Sequence, residues 1–284
     1  MPSAAAPLTI LITGASAGIG RITAVQLAHS SRRLILAARN ADRLEETARL
    51  VRSAGCEVLT IAADVSSPAS LHNLFNIARH HFGRIDVLVN NAGIECFSEL
   101  ESLTEEKIQS VISTNLTGAI LLTRLVLPQM KQNGFGRIIN MASTAGKHGP
   151  AWGAVYGATK AGLIAFTQSL RGELRGTGIG CTAICPGFAT DGGIYDEIVR
   201  TSGRRTPPLL GGTTAKKVAA AVEKAIRRAP PEIILNFPAL RPVFVLTEIW
   251  PRLGELLIHA ATLKFLRRAA FSNANSQQAA SRPS

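Results

Sequence analysis

Seven short apolar runs, separated by turns and by stretches of helical periodicity, constrain this 284-residue chain more than any other feature. They are LTILIT (8–13), RLILAA (33–38), EVLTIAA (57–63), DVLVNN (86–91), RIINMAS (137–143), GCTAIC (180–185) and EIILN (232–236). A strand that is apolar throughout must be covered on both faces, and a parallel sheet with helices on either side does this. Between the runs, Leu44, Ala48 and Val51, and again Leu71, Leu74, Phe75 and Ala78, recur at helical spacing. The pattern predicts an α/β chain built on a doubly wound, seven-stranded parallel sheet. No repeat or linker divides residues 8–236. One domain is therefore placed over 1–238, an apolar helical extension over 239–271 and a polar, disordered tail over 272–284. With 46% hydrophobic and 18% charged residues, the chain can bury a full core.

In such sheets ligands bind beyond the carboxyl ends of the strands. The first strand runs into TGASAGIG (13–20), where Gly14, Gly18 and Gly20 strip the backbone of side chains as it turns into a helix. Such a turn either joins strand to helix tightly or lets the backbone approach a pyrophosphate at the helix N-terminus. Its position after the first strand favours the second reading, a Rossmann-type fold. The second strand ends LAARN, with Ala38 and Arg39 where an NAD-selective site places an acidic group for the ribose 2′-hydroxyl. Arg39 can instead pair with a 2′-phosphate, so NADP(H) is the expected cofactor. Asp64, at the end of the third run, is placed to accept from the adenine amino group, or else only starts a loop.

The stretch STAGKHGPAWGAVYGATK carries Ser143, Tyr156 and Lys160 at spacings of thirteen and four. Tyr156 and Lys160 share a helix face, so an ammonium lies near a phenol and is expected to lower its pKa toward the working range of an acid/base catalyst. Ser143, at the end of the fifth run, can hydrogen-bond a substrate oxygen together with that phenol.

In TGASAGIG, NNAG (90–93), Asn115 within STNLTG, Ser143 with YGATK, and CPG ending at Gly187, taken in this order, the chain resembles the short-chain dehydrogenase/reductase family over residues 8–236, in its non-extended branch. The resemblance implies a catalytic set of Ser143, Tyr156, Lys160 and Asn115, with Asn115 holding a water that links Lys160 to solvent. It implies cofactor contacts from Gly14, Ser16, Gly18, Ile19 and Gly20, from Arg39, from Asp64 and Val65, and from Asn91, Ala92 and Gly93. Pro186, Gly187 and Thr190 complete that set, with Tyr156 and Lys160 shared. One departure stands out: the family's Thr falls five residues after the Pro of the Pro-Gly pair, whereas Thr190 falls four after Pro186 and Asp191 takes the fifth place. The loop 191–212 is expected to be a substrate lid.

The expected enzyme interconverts a ketone or aldehyde and its alcohol by hydride transfer. The expected pocket wall, 94–97, 147–152 and 188–195, suggests a mainly apolar substrate of lipid, steroid or retinoid type. Reduction of acyl-carrier-protein thioesters is an alternative, as is a dinucleotide sensor without turnover, although sensors tend to lose the Tyr or the Lys. Of the net charge of +12, the last 94 residues carry +7, from 14 basic and 7 acidic groups. No basic strip interleaved with aromatics suggests nucleic acid. Cys56, Cys96, Cys181 and Cys185 lack the spacing of a metal site or disulfide framework. No signal peptide or transmembrane helix is expected, and the chain is placed in the cytoplasm as a homo-oligomer. In PRLGELLIHAATLKFLRRAAF (251–271), Leu253, Leu256, Leu257, Ala260, Leu263 and Leu266 fall on one helical stripe. That stripe either packs on protein, over the pocket or on a partner subunit, or lies on anionic lipid.

Overall fold

The computed structural model describes residues 7–189, 211–260, 262–263 and 266–267. Chain order is β1 (Leu8–Thr13), α1 (Gly18–Leu27), β2 (Arg32–Ala38), α2 (Ala41–Ser53), β3 (Glu57–Ala62), α3 (Pro68–Phe82), β4 (Val87–Asn90) and α4 (Glu105–Ile112). It continues with α5 (Gly118–Asn133), β5 (Gly136–Met141), α6 (Ala154–Glu173), β6 (Ile179–Pro186), α7 (Ala215–Arg228), β7 (Glu232–Leu235) and α8 (Arg241–Ile249). A further helix, α9, covers residues 251–260. The seven strands form one sheet in the order β3-β2-β1-β4-β5-β6-β7. Every pairing is parallel, with Ile10 opposite both Leu34 and Val87.

Alternate residues of each strand enter opposite cores. Ile10, Leu34, Val87 and Ile139 pack with Leu27 of α1, Val51 of α2 and Val222 of α7. Leu11, Ile35, Leu88 and Ile138 pack on the other face with Leu74 of α3, Val126 of α5 and Leu170 of α6. This two-sided burial is why the runs are apolar without alternation. Side-chain caps start the helices where the sequence supplies them: Asn40 accepts from the Arg43 N–H, Ser67 from that of Ser70 and Thr214 from that of Lys217. The segment Glu105–Asn133 is, among the described residues, the one helix long and apolar enough to cross a membrane. It lies against the sheet, with Leu122, Val126 and Met130 buried in the core.

Two expectations are corrected here. The fifth strand ends at Met141, its last pairing being with Ile184 of β6, so Ser143 lies beyond the sheet. Its Oγ accepts from the Ala145 N–H at 3.1 Å and opens a short 3₁₀ turn, Thr144–Gly146, as a small polar side chain does when it can bond backbone two residues on. The C-terminal stripe is also divided: Leu253, Leu256, Leu257 and Leu263 are exposed, whereas Leu266 is buried. The buried face at α9 instead starts from Gly254, where a Cβ would meet Thr247 Cγ2 of α8 at 2.5 Å. Thr190, the tail 272–284 and all but the last two positions of the expected lid 191–212 lie outside the described residues.

Candidate active site

The strand order reverses between β1 and β4, and the chain opens there into a cavity of about 1040 Å³. One end is built from the glycine turn. Gly14 and Gly18 have φ of +67° and +51°, a region that favours glycine. A Cβ at Gly20 would meet Gly14 O at 2.2 Å. Helix α1 follows with Ala17 at its N-cap, no side-chain cap and no acidic residue in its first turn. Its first N–H groups are therefore left to bind an anion at the cavity wall. Asn91 borders the cavity, and its Nδ2 donates to Thr13 O at 2.9 Å and Gly14 O at 3.3 Å, which holds the turn in shape. Thr13 Oγ1 accepts from the N–H groups of Asn91 and Ala92, clamping the β4 loop to β1.

Arg39 lies on the same wall, as expected, and the structure adds Asn40 and Arg43 beside it. The sequence signal for Arg43 is its place four residues after Arg39, in the first turn of a helix starting at the end of β2. Asp64 lines the cavity too, its carboxyl held below the usual range first by the Ser66 N–H, and further by the Ser66 hydroxyl and the Arg39 charge. Ser16, Ile19, Val65, Ala92, Gly93, Pro186 and Gly187 also border it, and a Cβ at Gly187 would meet Asn236 Oδ1 at 2.0 Å.

At the centre, Ser143, Tyr156 and Lys160 face the cavity together. Ser143 Oγ donates to Pro186 O at 3.5 Å, and the Ser143 side chain lies beside the Tyr156 phenol. The Lys160 ammonium donates to Met141 O at 2.9 Å and stands 5.6 Å from the Tyr156 ring centroid. Asn115 is buried behind them. Its Oδ1 accepts from Ile94 N at 2.8 Å, while Nδ2 donates to Ile94 O at 2.8 Å and to Thr159 Oγ1 at 3.3 Å. It sits in a π-turn, Ser113–Thr117, that interrupts the helix between α4 and α5, an irregularity frequent at functional sites. Gly93 separates it from Lys160: a Cβ there would meet Asn115 Oδ1 at 3.3 Å and Lys160 Nζ at 3.4 Å.

The expected lowering of the phenol pKa is corrected. Burial pushes Tyr156 up to about 12; the neighbouring Ser143 side chain opposes this and the charge of Glu95 adds to it. Tyr156 is half-buried and borders the cavity. Burial likewise pulls Lys160 down to about 8, with a small opposing influence from Cys185. Desolvation outweighs the pairing inferred from the spacing, because the ammonium bonds a backbone carbonyl rather than the phenol oxygen. At neutral pH the phenol keeps its proton.

The far end is apolar. Leu266 packs with Phe97, Trp152, Tyr156 and Phe188 in a separate cluster, and Val243, Phe244 and Ile258 continue the wall, with His259 and Thr262 the polar groups beside them. Of the expected wall residues, Ile94, Phe97, residues 148–151, Phe188 and Ala189 border the cavity. Lys147 is turned away and pairs with Glu232 at 2.8 Å. His148 is held below the usual imidazole range, first by burial and then by the charge of His259 across the cavity, against Glu255.

A parallel sheet of this order, with a glycine turn at its switch point and a Ser–Tyr–Lys cluster beside it, defines an oxidoreductase of the dinucleotide-binding class. The short chain dehydrogenase family model matches residues 8–198, and the chain belongs to that family. It is 42% identical over 228 residues to a ketoacyl reductase of a Nostoc species, covering 80% of this chain and 78% of that one. To a 3-oxoacyl-[acyl-carrier-protein] reductase of a Synechocystis species it is 39% identical, over 64% of this chain and 74% of the other. Among solved structures, an actinorhodin polyketide ketoreductase with NADPH superposes with a TM-score of 0.75 at 31% identity, covering 81% of this chain and 96% of that one. A metagenomic short-chain oxidoreductase in complex with NADP gives 0.69 at 29%, over 80% and 96%.

Proposed function

We propose that the protein is an NADP(H)-dependent reductase of ketones carried on an apolar chain. The observation that supports it most is continuity: one cavity joins the glycine cradle flanked by Arg39 and Arg43 to a protonated phenol and then to an apolar end. The residues present fit the dinucleotide. Gly14 and Gly20 let the turn fold tightly against itself and the β4 loop at the cavity wall, where a Cβ would clash, the open N-terminus of α1 suits a pyrophosphate, and two arginines suit a 2′-phosphate. When bound, the cofactor supplies the hydride.

Ser143 and Tyr156 then hold the carbonyl oxygen between two hydroxyls, and Tyr156 gives it a proton. Lys160 supplies positive charge within the cavity as negative charge passes to the phenol oxygen. Asn115 is a positioning residue, tying the backbone at Ile94 to the helix that carries Tyr156 and Lys160. The phenol at about 12 is a donor throughout the neutral range, which suits reduction.

A second reading, reduction of 3-oxoacyl groups on a carrier protein, is favoured by the relatives, which include a ketoacyl reductase and a 3-oxoacyl-[acyl-carrier-protein] reductase. Both readings predict NADPH oxidation, and comparing free apolar ketones with carrier-bound 3-oxoacyl chains separates them. Tyr156→Phe keeps the ring and deletes the proton, so turnover should fall at least about a hundredfold while NADPH affinity stays unchanged. Wild-type turnover in that variant would sink the proposal.

A further inference from the structure

Twelve large apolar side chains are exposed among the described residues, and eight of them lie between Phe237 and Leu263. They do not merge with the core. Helices α8 and α9 turn one side to the cavity, through Val243, Phe244 and Ile258. The other side is open, with Val245 at 52%, Ile249 at 59%, Trp250 at 61% and Leu256 at 65% accessible. An apolar face this concentrated on a water-facing surface marks a contact site.

Charge selects the occupant. Arg241, Arg252 and Arg267 are exposed on the same segment, Arg241 standing 3.6 Å from Glu232, and residues 239–271 hold five basic groups (the three arginines with Lys264 and Arg268) against two acidic ones, Glu248 and Glu255. A second copy meeting the same face across a two-fold axis would bring two faces with an excess of basic groups together, on a chain of net charge +12. An anionic bilayer reverses that sign. It accepts a tryptophan at the headgroup level, apolar side chains below it and arginines reaching back to the phosphates.

We propose that the outer faces of α8 and α9 seat the protein on an anionic lipid surface, with the apolar end of the cavity directed at the membrane. The same two helices then form both the wall of the cavity and the contact with the bilayer, so an apolar ketone can reach Tyr156 without crossing water. This delivery role rests on the proposed function; the binding itself does not.

The test is co-sedimentation of the full-length protein with phosphatidylglycerol-containing vesicles and with pure phosphatidylcholine vesicles. At low salt the anionic vesicles should bind at least about tenfold more tightly, and the difference should shrink with added salt. Arg241→Gln with Arg252→Gln should weaken binding roughly twentyfold. Ile249→Ser with Trp250→Ser, at positions outside the cavity, should abolish it while NADPH oxidation with a water-soluble ketone is unchanged. Equal sedimentation on both vesicle types, none on either, or unchanged binding by the Ile249/Trp250 variant overturns the proposal. So does a wild-type dimer that this variant dissolves in light scattering with no vesicle binding, since the face would then be a self-interface. Vesicle binding is read without turnover, so its loss and a failure of the reductase assignment are distinguishable.

Discussion

At Lys160 two demands oppose one another. The ammonium is buried, and its pKa of about 8 lies below the ordinary 10.5, so the charged form is less favourable in the folded than in the unfolded chain. The unfolded state holds the extra proton between those values, and stability therefore rises with pH across that window, while below about 8 the cost is carried in full. The gap corresponds to on the order of 3 kcal/mol. Lys160→Met should remove activity yet melt no lower than wild type at pH 6, with any advantage fading toward pH 10.5. A melting temperature well below wild type at pH 6 would refute this. In the wild type, reduction should decline above about pH 8 as Lys160 loses its charge, and a rate profile flat to pH 10 would contradict that role. Arg39 allows a cleaner exchange: Arg39→Asp should weaken NADPH binding at least about tenfold and favour NADH, since it replaces attraction for a 2′-phosphate with repulsion. Side-by-side kinetics in which the wild type already prefers NADH would remove the assignment.

At the scale of elements, the approach of the 3₁₀ turn after β5 to helix α6 sets the distance between Ser143 and Tyr156. Gly146 permits it: a Cβ there would meet the Lys160 backbone carbonyl carbon at 2.5 Å. Gly146→Ala should push the turn away from α6 and lower kcat at least about tenfold, with a smaller effect on NADPH binding, many of whose expected contacts lie around β1, α1 and β2. An unchanged kcat would show that the turn tolerates the shift. The strands were legible because two-sided burial writes itself as an unbroken apolar run, and the glycine turn because its residues are local to one βα junction. The end of β5 was not, since a serine can continue a strand or cap a turn and only the hydrogen bond to Ala145 decides. The phenol was misread for a related reason. Spacing reports that Lys160 is near Tyr156, but not that its ammonium is committed to Met141 O and that both groups are desolvated.

Across the whole molecule, the cavity is assembled from distant parts of the chain, and its apolar end depends on residues more than a hundred positions away from Tyr156. Helical periodicity over 251–271 pointed to a stripe but could not say that Leu266 would enter the cavity while Leu256 stayed in water. That division comes from Gly254 bringing α9 against Thr247 of α8, a contact with no local signature. Leu266 is 2% accessible and sits among Phe97, Trp152, Tyr156 and Phe188, so it caps the space a substrate chain would extend into beyond the phenol. Leu266→Ala should open that end. Loss of its packing should cost about 2 kcal/mol or more in stability, while the volume released should favour ketones with longer or bulkier apolar chains. The expected outcome is a lower melting temperature together with a rise in kcat/KM for long-chain relative to short-chain ketones. Activities that fall in equal proportion for both would show that Leu266 supports the fold without bounding the substrate.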